Sequence, residues 1–134
     1  MITPKKDVSM RMCVDYREIN SQTEKDSFHL QRIDQVWTTL SRARYFFSLD
    51  LLMGFYQVEV HPRDRAKMAF LTHRGRYIYN MMPFGFCNAT ATFQRLMERV
   101  LETLIGRGVL VYIDDVLMYA ETVEQLIEVL STVL

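Results

Sequence analysis

The sequence predicts an α+β fold, an antiparallel sheet covered by helices on one face, on three observations. Strand-like and helix-like segments interleave without the regular alternation of a parallel βαβ chain. Residues 88–105 carry a continuous apolar stripe at helical spacing. Residues 108–119 form a glycine-bounded run in which two apolar segments flank a pair of acids, the pattern of a hairpin. With 134 residues, 49% of them hydrophobic, the chain suits one domain of ordinary size with material for a core. No repeat, low-complexity tract or Pro/Gly-rich linker marks an internal boundary within residues 1–134.

Taken in order, Lys5-Lys6-Asp7 reads as a loop or hairpin tip, and residues 10–16 alternate loosely as a strand does. Ile33, Val36, Trp37 and Leu40 recur at the spacing of one helical face, which predicts Trp37 in the core. Residues 45–51, rich in aromatics and holding the acid Asp50, read as a strand, as do residues 57–60 with their alternating polarity. Two further apolar runs, residues 68–71 and 77–81, flank His73-Arg74-Gly75-Arg76, whose glycine predicts a hairpin. In the long helix the stripe is Phe93, Leu96, Met97, Val100, Leu101, Leu104 and Ile105, and Gly106 supplies the stop. The last stretch opens on Thr122-Val123-Glu124-Gln125, a capping-box pattern, and continues with Val123, Leu126, Ile127 and Leu130 on one helical face.

Arg plus Lys and Asp plus Glu each total 16, so the net charge is zero and no global field draws the chain to nucleic acid. Any polyanion site must be local. Between His61 and Arg99 the bases Arg63, Arg65, Lys67, Arg74, Arg76, Arg95 and Arg99 face only Asp64 and Glu98. From Val100 onward Arg107 faces Glu102, Asp114, Asp115, Glu121, Glu124 and Glu128. That asymmetry suits a phosphate-touching surface beside an acidic metal site, or ordinary solvated charge. Cys13 and Cys87 lack CxxC spacing, which fits reduced thiols in an intracellular protein. Apolar runs such as residues 109–113 are too short to span a bilayer, and the N-terminus lacks a signal-peptide stretch, so a soluble protein with no membrane partner is expected.

Asp114 and Asp115 interrupt two apolar strands, where charge is costly unless something compensates it. An Asp-Asp pair at a tight turn facing water is one explanation. Asp50 also ends an apolar strand, and a sheet that sets the two strands side by side would gather three mutually repelling carboxylates. Magnesium resolves that conflict, because a hard cation takes oxygen ligands and keeps positions for water and phosphate. Two such ions serve phosphoryl transfer, one activating the attacking hydroxyl and one the leaving group. General acid/base catalysis by paired acids is the competing use.

The order of segments resembles the reverse transcriptase of gypsy-type LTR retrotransposons and retroviral Pol polyproteins, over nearly the whole chain. Residues Arg11-Met12-Cys13-Val14-Asp15-Tyr16-Arg17 resemble the fingers strand of that family. Leu49-Asp50-Leu51 with Gly54-Phe55-Tyr56-Gln57 resembles its first catalytic palm motif, and Tyr112-Ile113-Asp114-Asp115 its second. Met82-Pro83-Phe84-Gly85, Asn88-Ala89 and Ala91-Thr92-Phe93-Gln94 resemble the segment leading into the palm helix. The resemblance implies a right-hand polymerase palm with part of the fingers, acting as an RNA-directed DNA polymerase. It implies that Asp50, Asp114, Asp115 and the backbone carbonyl of Leu51 bind two Mg2+ ions, with Mn2+ as the alternative, and that the three acids catalyse nucleotide addition. It places Arg11 and one of Lys5 and Lys6 on the incoming triphosphate. Gly54 and Phe55 fall in the nucleotide pocket, where Phe55 would exclude a ribose 2'-hydroxyl, with core packing as its alternative role. Phe84 and Gly85 match the pocket floor. Gln94 lies on the nearby helix, at the nucleotide or in an ordinary surface role, and Tyr112 and Ile113 lie near primer and template.

Implied partners are an RNA or DNA template with primer, deoxynucleoside triphosphates, and the remainder of a Pol polyprotein. The implied location is cytoplasmic and particle-associated in the ancestor, with the nucleus as the alternative. Leu52-Met53 stands where the family usually has a polar or charged pair, Thr90 and Gln31 where it has prolines, and Met10 where it commonly has an aromatic. The sequence also lacks the thumb, connection and ribonuclease H segments of the family. A truncated transposon-derived reading frame is therefore expected, its isolated fragment turning over little. The alternative is a non-catalytic remnant or co-opted nucleic-acid binding module.

Overall fold

The structure, a computed structural model, describes residues 2–4, 10–28 and 31–134. The chain divides into two compact units, one of Met1–Asp26 with Met53–Ala89 and one of Ser27–Leu52 with Thr90–Leu134. The mixture of helices and antiparallel strands matches the expected α+β class.

In the first unit, β1 (Ile2–Pro4) pairs antiparallel with β2 (Met10–Met12). The Lys5-Lys6-Asp7 segment lies outside the described residues. The strand expected to run to residue 16 ends at Met12, and a short helix, α1 (Arg17–Gln22), follows that periodicity did not reveal. Six residues are too few for an amphipathic repeat to register. Two asparagines satisfy the neighbouring loop backbone. Asn20 donates to the Gly85 carbonyl at 2.8 Å and accepts from the Cys87 N–H at 2.9 Å. Asn88 donates to the Glu24 carbonyl at 2.8 Å and accepts from the Asp26 N–H at 3.1 Å.

Residues 57–60 do not form the expected strand. A 3-10 turn occupies Gly54–Gln57, and only a bridge between Glu59 and Met81 follows, flanked by Val60 N–H to Asn80 and Met82 N–H to Val58 bonds, each 2.8 Å. Alternating polarity was therefore satisfied by a single pair of backbone contacts too short to be a ladder. A second 3-10 turn, Arg65–Met68, leads into the expected hairpin of β4 (Ala69–Thr72) and β5 (Gly75–Ile78), joined by His73 and Arg74. An aromatic cluster backs this hairpin: Phe70 stacks on Tyr77 at 5.9 Å, lies 5.2 Å from Tyr79, and Tyr79 stacks on Tyr56 at 6.0 Å. Tyr16 is buried with its ring edge-on to Phe86, and burial pushes its phenol up to about 12.

The second unit is built on a three-stranded antiparallel sheet, in the order β3 (Tyr45–Asp50), β7 (Asp115–Ala120), β6 (Val109–Tyr112). Val116, Met118 and Ala120 are buried at alternate positions of β7, the period-two signature of a strand with one face in a core. The helices are α2 (Ile33–Leu40), α3 (Ala89–Val100, in this unit from Thr90) and α4 (Val123–Val133). Phe93, Met97 and Leu101 are buried, each worth roughly 1.5–3 kcal/mol of apolar transfer. The stripe is narrower than its sequence suggested, with Leu96 and Val100 exposed, and the helix proper stops at Val100. Gly106 at φ +81° ends the turns that follow.

Trp37 corrects the expectation of a core residue: it is 69% exposed and Ile33 is 72% exposed. The periodicity identified a helical face, but periodicity alone does not specify what covers it. At the other end of the unit, Thr122 and Gln125 form the expected capping box, two reciprocal bonds of 3.3 Å. Among the described residues no helix is long and apolar enough to cross a membrane.

Candidate active site

The β3–β7 register sets Asp50, the last residue of β3, directly opposite Asp115, the first of β7. Directly opposed residues of an antiparallel pair hold their Cβ atoms about 4.5–5.5 Å apart, and like charges so placed repel. Asp115 also faces Tyr112 of β6, and Ile113 with Asp114 makes the turn between them. The Leu51 N–H donates to the Asp114 carbonyl at 3.1 Å, tying the end of β3 to that turn. Asp50 and Asp115 are exposed and Asp114 is half-buried. No ion pair among the described residues engages any of the three. The donor set is all oxygen, carried on paired strands and, among the described residues, without an ion-paired cation, which suits a hard divalent ion in kind. The side chains do not converge as they stand: among the described residues, no three His, Cys, Asp or Glu side chains form a group ready to share an ion.

The turn itself is strained. Ile113 has φ +59°, a left-handed conformation that a β-branched residue adopts only under constraint. Gln94 of α3 provides the constraint. Its Oε1 accepts from the Ile113 N–H at 2.6 Å, and its Nε2 donates to the Val111 carbonyl at 3.2 Å and to Glu98 at 2.9 Å. The side chain is fully buried, so the surface role considered for Gln94 is corrected. Both of its polar atoms are occupied inside this unit, beneath the acid turn. The signal was present in the sequence, because Gln94 shares its helical face with Met97 and Leu101 at i+3 and i+7.

The remaining candidates fall in the first unit or outside the described residues. Lys5 and Lys6 lie outside them. Arg11 is described in its backbone, in β2 opposite Thr3 of β1, while its side chain lies outside the described residues. Gly54 is buried and opens the 3-10 turn after Met53, a non-glycine residue at φ +54°. Phe55 is half-buried with its ring edge-on to Phe84 at 5.1 Å, and Tyr56 meets the same ring at 5.3 Å. Gly85 needs its glycine for conformation rather than space: φ is +90°, and an added Cβ would make only ordinary contacts, the nearest at 3.8 Å. Asn20, which sequence reasoning did not single out, holds the Gly85 carbonyl. Leu52 and Met53 are 81% and 63% exposed. Tyr112 is 42% exposed.

The sequence pattern of the family described as reverse transcriptase (RNA-dependent DNA polymerase) matches residues 3–134. An RNA-directed DNA polymerase homolog of Oenothera berteroana is 38% identical over 113 residues, 84% of this chain and 80% of its own length. The retrovirus-related Pol polyprotein from transposon 297 of Drosophila melanogaster is 37% identical over 115 residues, 86% of this chain and 11% of its own length. That from transposon gypsy is 34% identical over 124 residues, 92% of this chain and 12% of its own length. Among solved structures, a foamy viral protease-reverse transcriptase in complex with double-stranded DNA has a TM-score of 0.87 at 28% identity, covering 98% of this chain and 23% of that one. The same kind of enzyme in complex with an RNA/DNA hybrid has a TM-score of 0.84 at 28% identity, covering 98% of this chain and 18% of that one. The chain thus spans 11% and 12% of these two Pol polyproteins. With the family pattern running through nearly the whole sequence and the same fold in solved relatives, the chain belongs to the reverse transcriptase (RNA-dependent DNA polymerase) family.

Proposed function

We propose that this chain carries the catalytic core of an RNA-directed DNA polymerase that adds deoxynucleotides to a primer 3'-hydroxyl. The observation that carries the reading is the strand register setting Asp50 opposite Asp115, with Asp114 in the adjoining turn. Asp50, Asp114, Asp115 and the Leu51 carbonyl would hold two Mg2+ ions, or Mn2+ in their place. Bound there, the ions supply activation of the attacking hydroxyl and stabilisation of the pyrophosphate that leaves. The chain's own contribution is placement. Paired strands fix two of the acids, and the buried Gln94 amide holds the turn that carries the third. The edge of Phe55 packed on Phe84 would present an apolar wall to a sugar, favouring one without a 2'-hydroxyl. Arg11 and Lys5 or Lys6 would neutralise triphosphate charge, and Tyr112 and Ile113 would lie near the primer end. Template with primer, deoxynucleoside triphosphates and the other segments of a Pol polyprotein are the proposed partners.

Primer extension on an RNA template with Mg2+ tests this, using the chain alone and joined to a relative's thumb. Incorporation is expected from the joined form and background from its Asp115→Asn variant. Equal incorporation by both refutes the reading. A second reading, a nucleic-acid binding module without turnover, is favoured by Leu52 and Met53, apolar and exposed where the family usually has polar or charged residues. Salt-sensitive binding of primer-template with no incorporation in either form supports it.

A further inference from the structure

The strongest charge feature outside the acid turn is the β4–β5 hairpin of the first unit. Residues 61–76 carry Arg63, Arg65, Lys67, Arg74 and Arg76 against the single acid Asp64, in a chain whose net charge is zero. Two of these bases are neutralised: Lys67 pairs with Asp64 at 2.6 Å and Arg65 with Glu59 at 3.6 Å. Arg63, Arg74 and Arg76 are exposed, and among the described residues no ion pair engages any of them; Arg74 and Arg76 are the two on the hairpin itself. Their platform is preorganised. The Thr72 hydroxyl donates to the Gly75 carbonyl and accepts from the Arg74 N–H, both at 3.1 Å, which stiffens the two-residue tip. Arg76 sits directly across from Leu71 in the ladder, and the Phe70, Tyr77 and Tyr79 rings brace the strands.

We propose that this hairpin is a separate nucleic-acid contact, gripping the phosphodiester backbone through Arg74 and Arg76 without reading sequence. Guanidinium forks match phosphate oxygens in geometry as well as charge. Two forks on one stiff hairpin, uncompensated in a neutral chain, suit a repeating polyanion better than an isolated phosphate. A membrane surface fits less well, because Leu71 and Ile78 stand on short strands rather than on a continuous apolar face. The inference shares its partner class with the proposed polymerase function and shares no residue with the acid turn.

Equilibrium binding of a primer-template DNA duplex, measured by fluorescence anisotropy from 50 to 200 mM salt without nucleotides, tests the proposal. Each phosphate contact contributes about 0.9 to the slope of log affinity against log salt. Arg74→Ala with Arg76→Ala is therefore expected to flatten the slope by about 1.8, so the parent chain loses about 12-fold more affinity across that range. Arg74→Lys with Arg76→Lys keeps the slope if charge is the cause. Arg42→Ala with Arg107→Ala removes the same charge elsewhere, from two exposed arginines that no ion pair engages among the described residues, and leaves the slope unchanged. An unaltered slope in the double alanine variant overturns the proposal, as does equal flattening in the Arg42 and Arg107 control. So does loss of binding to phosphatidylserine vesicles with the duplex slope intact, or no duplex binding by the parent chain. The slope is read without nucleotides, so a shifted arginine slope with no incorporation by the thumb-joined form overturns the polymerase reading alone.

Discussion

Replacing Gln94 by alanine puts the strained turn to a quantitative test. The native amide accepts from the Ile113 N–H at 2.6 Å and donates to the Val111 carbonyl at 3.2 Å, from a side chain with no exposure. Alanine leaves a poorly solvated N–H and carbonyl without that partner, at about 1–3 kcal/mol for such a group. The bond also holds Ile113 at φ +59°, a conformation that costs an L-residue roughly 1–2 kcal/mol. Parent and variant both carry that strain, so the two orphaned groups set the expected loss from Gln94→Ala at about 2–6 kcal/mol, a large part of the roughly 5–15 kcal/mol that holds an ordinary domain folded. Urea unfolding reads this as a lower midpoint at unchanged slope. Ile113→Gly supplies the second half of a double-mutant cycle, because glycine adopts the left-handed region without the Cβ penalty. In the Gln94→Ala background it is expected to recover part of the loss, with a coupling energy on the order of 0.5–3 kcal/mol. A Gln94→Ala effect within about 0.5 kcal/mol, or strict additivity with Ile113→Gly, would refute the account of a turn held by that amide.

Three further outcomes are expected. Gly108→Ala should destabilise by more than about 2 kcal/mol, since φ is +91° and the new Cβ would meet Val129 at 2.8 Å and the Tyr119 carbonyl at 3.1 Å; a thermal midpoint equal to the parent's contradicts this. Thr122→Ala removes half of the α4 capping box and is expected to cost about 1 kcal/mol in urea unfolding, with Thr122→Ser close to neutral. Burial holds the Tyr16 phenol at about 12, above the roughly 10 of a free tyrosine, so the folded chain retains a proton that the unfolded chain releases. The resulting stability is full below pH ~10 and declines as pH rises through ~12. Tyr16→Phe should flatten part of that alkaline limb in a pH series of unfolding curves, the rest belonging to Tyr79, whose phenol burial also raises. An unchanged limb speaks against the assignment.

The hairpin β6–β7, the capped helix α4 and the aromatic strand β3 were legible because each is a local pattern: period two, a Thr-x-x-Gln cap, an acid at a strand end. That Asp50 meets Asp115 was an inference about pairing, which the register bears out. The exposure of Trp37 could not be read locally, because an amphipathic face does not say what covers it. Residues 57–60 misled for the opposite reason, since their alternation of polarity accompanies a single bridge. The role of Gln94 was missed although its position was visible: a polar residue on an apolar helical stripe announces a buried hydrogen-bond partner, but the partner is the backbone of a strand reached through folding.

The one-to-one opposition of β3 and β7 also sets how the gene is free to change. A point substitution in either strand alters one contact, whereas inserting or deleting one residue shifts every pair beyond it and turns the following side chains to the other face of the sheet. Asp115 would then lose Asp50 as its opposite number, and Val116, Met118 and Ala120 would leave the buried side together with it. The same buried residues therefore guard both the core and the alignment of the acids. A change of length in β3 or β7 is therefore expected to break the opposition of the acids, whereas a point substitution elsewhere in these strands leaves the register in place.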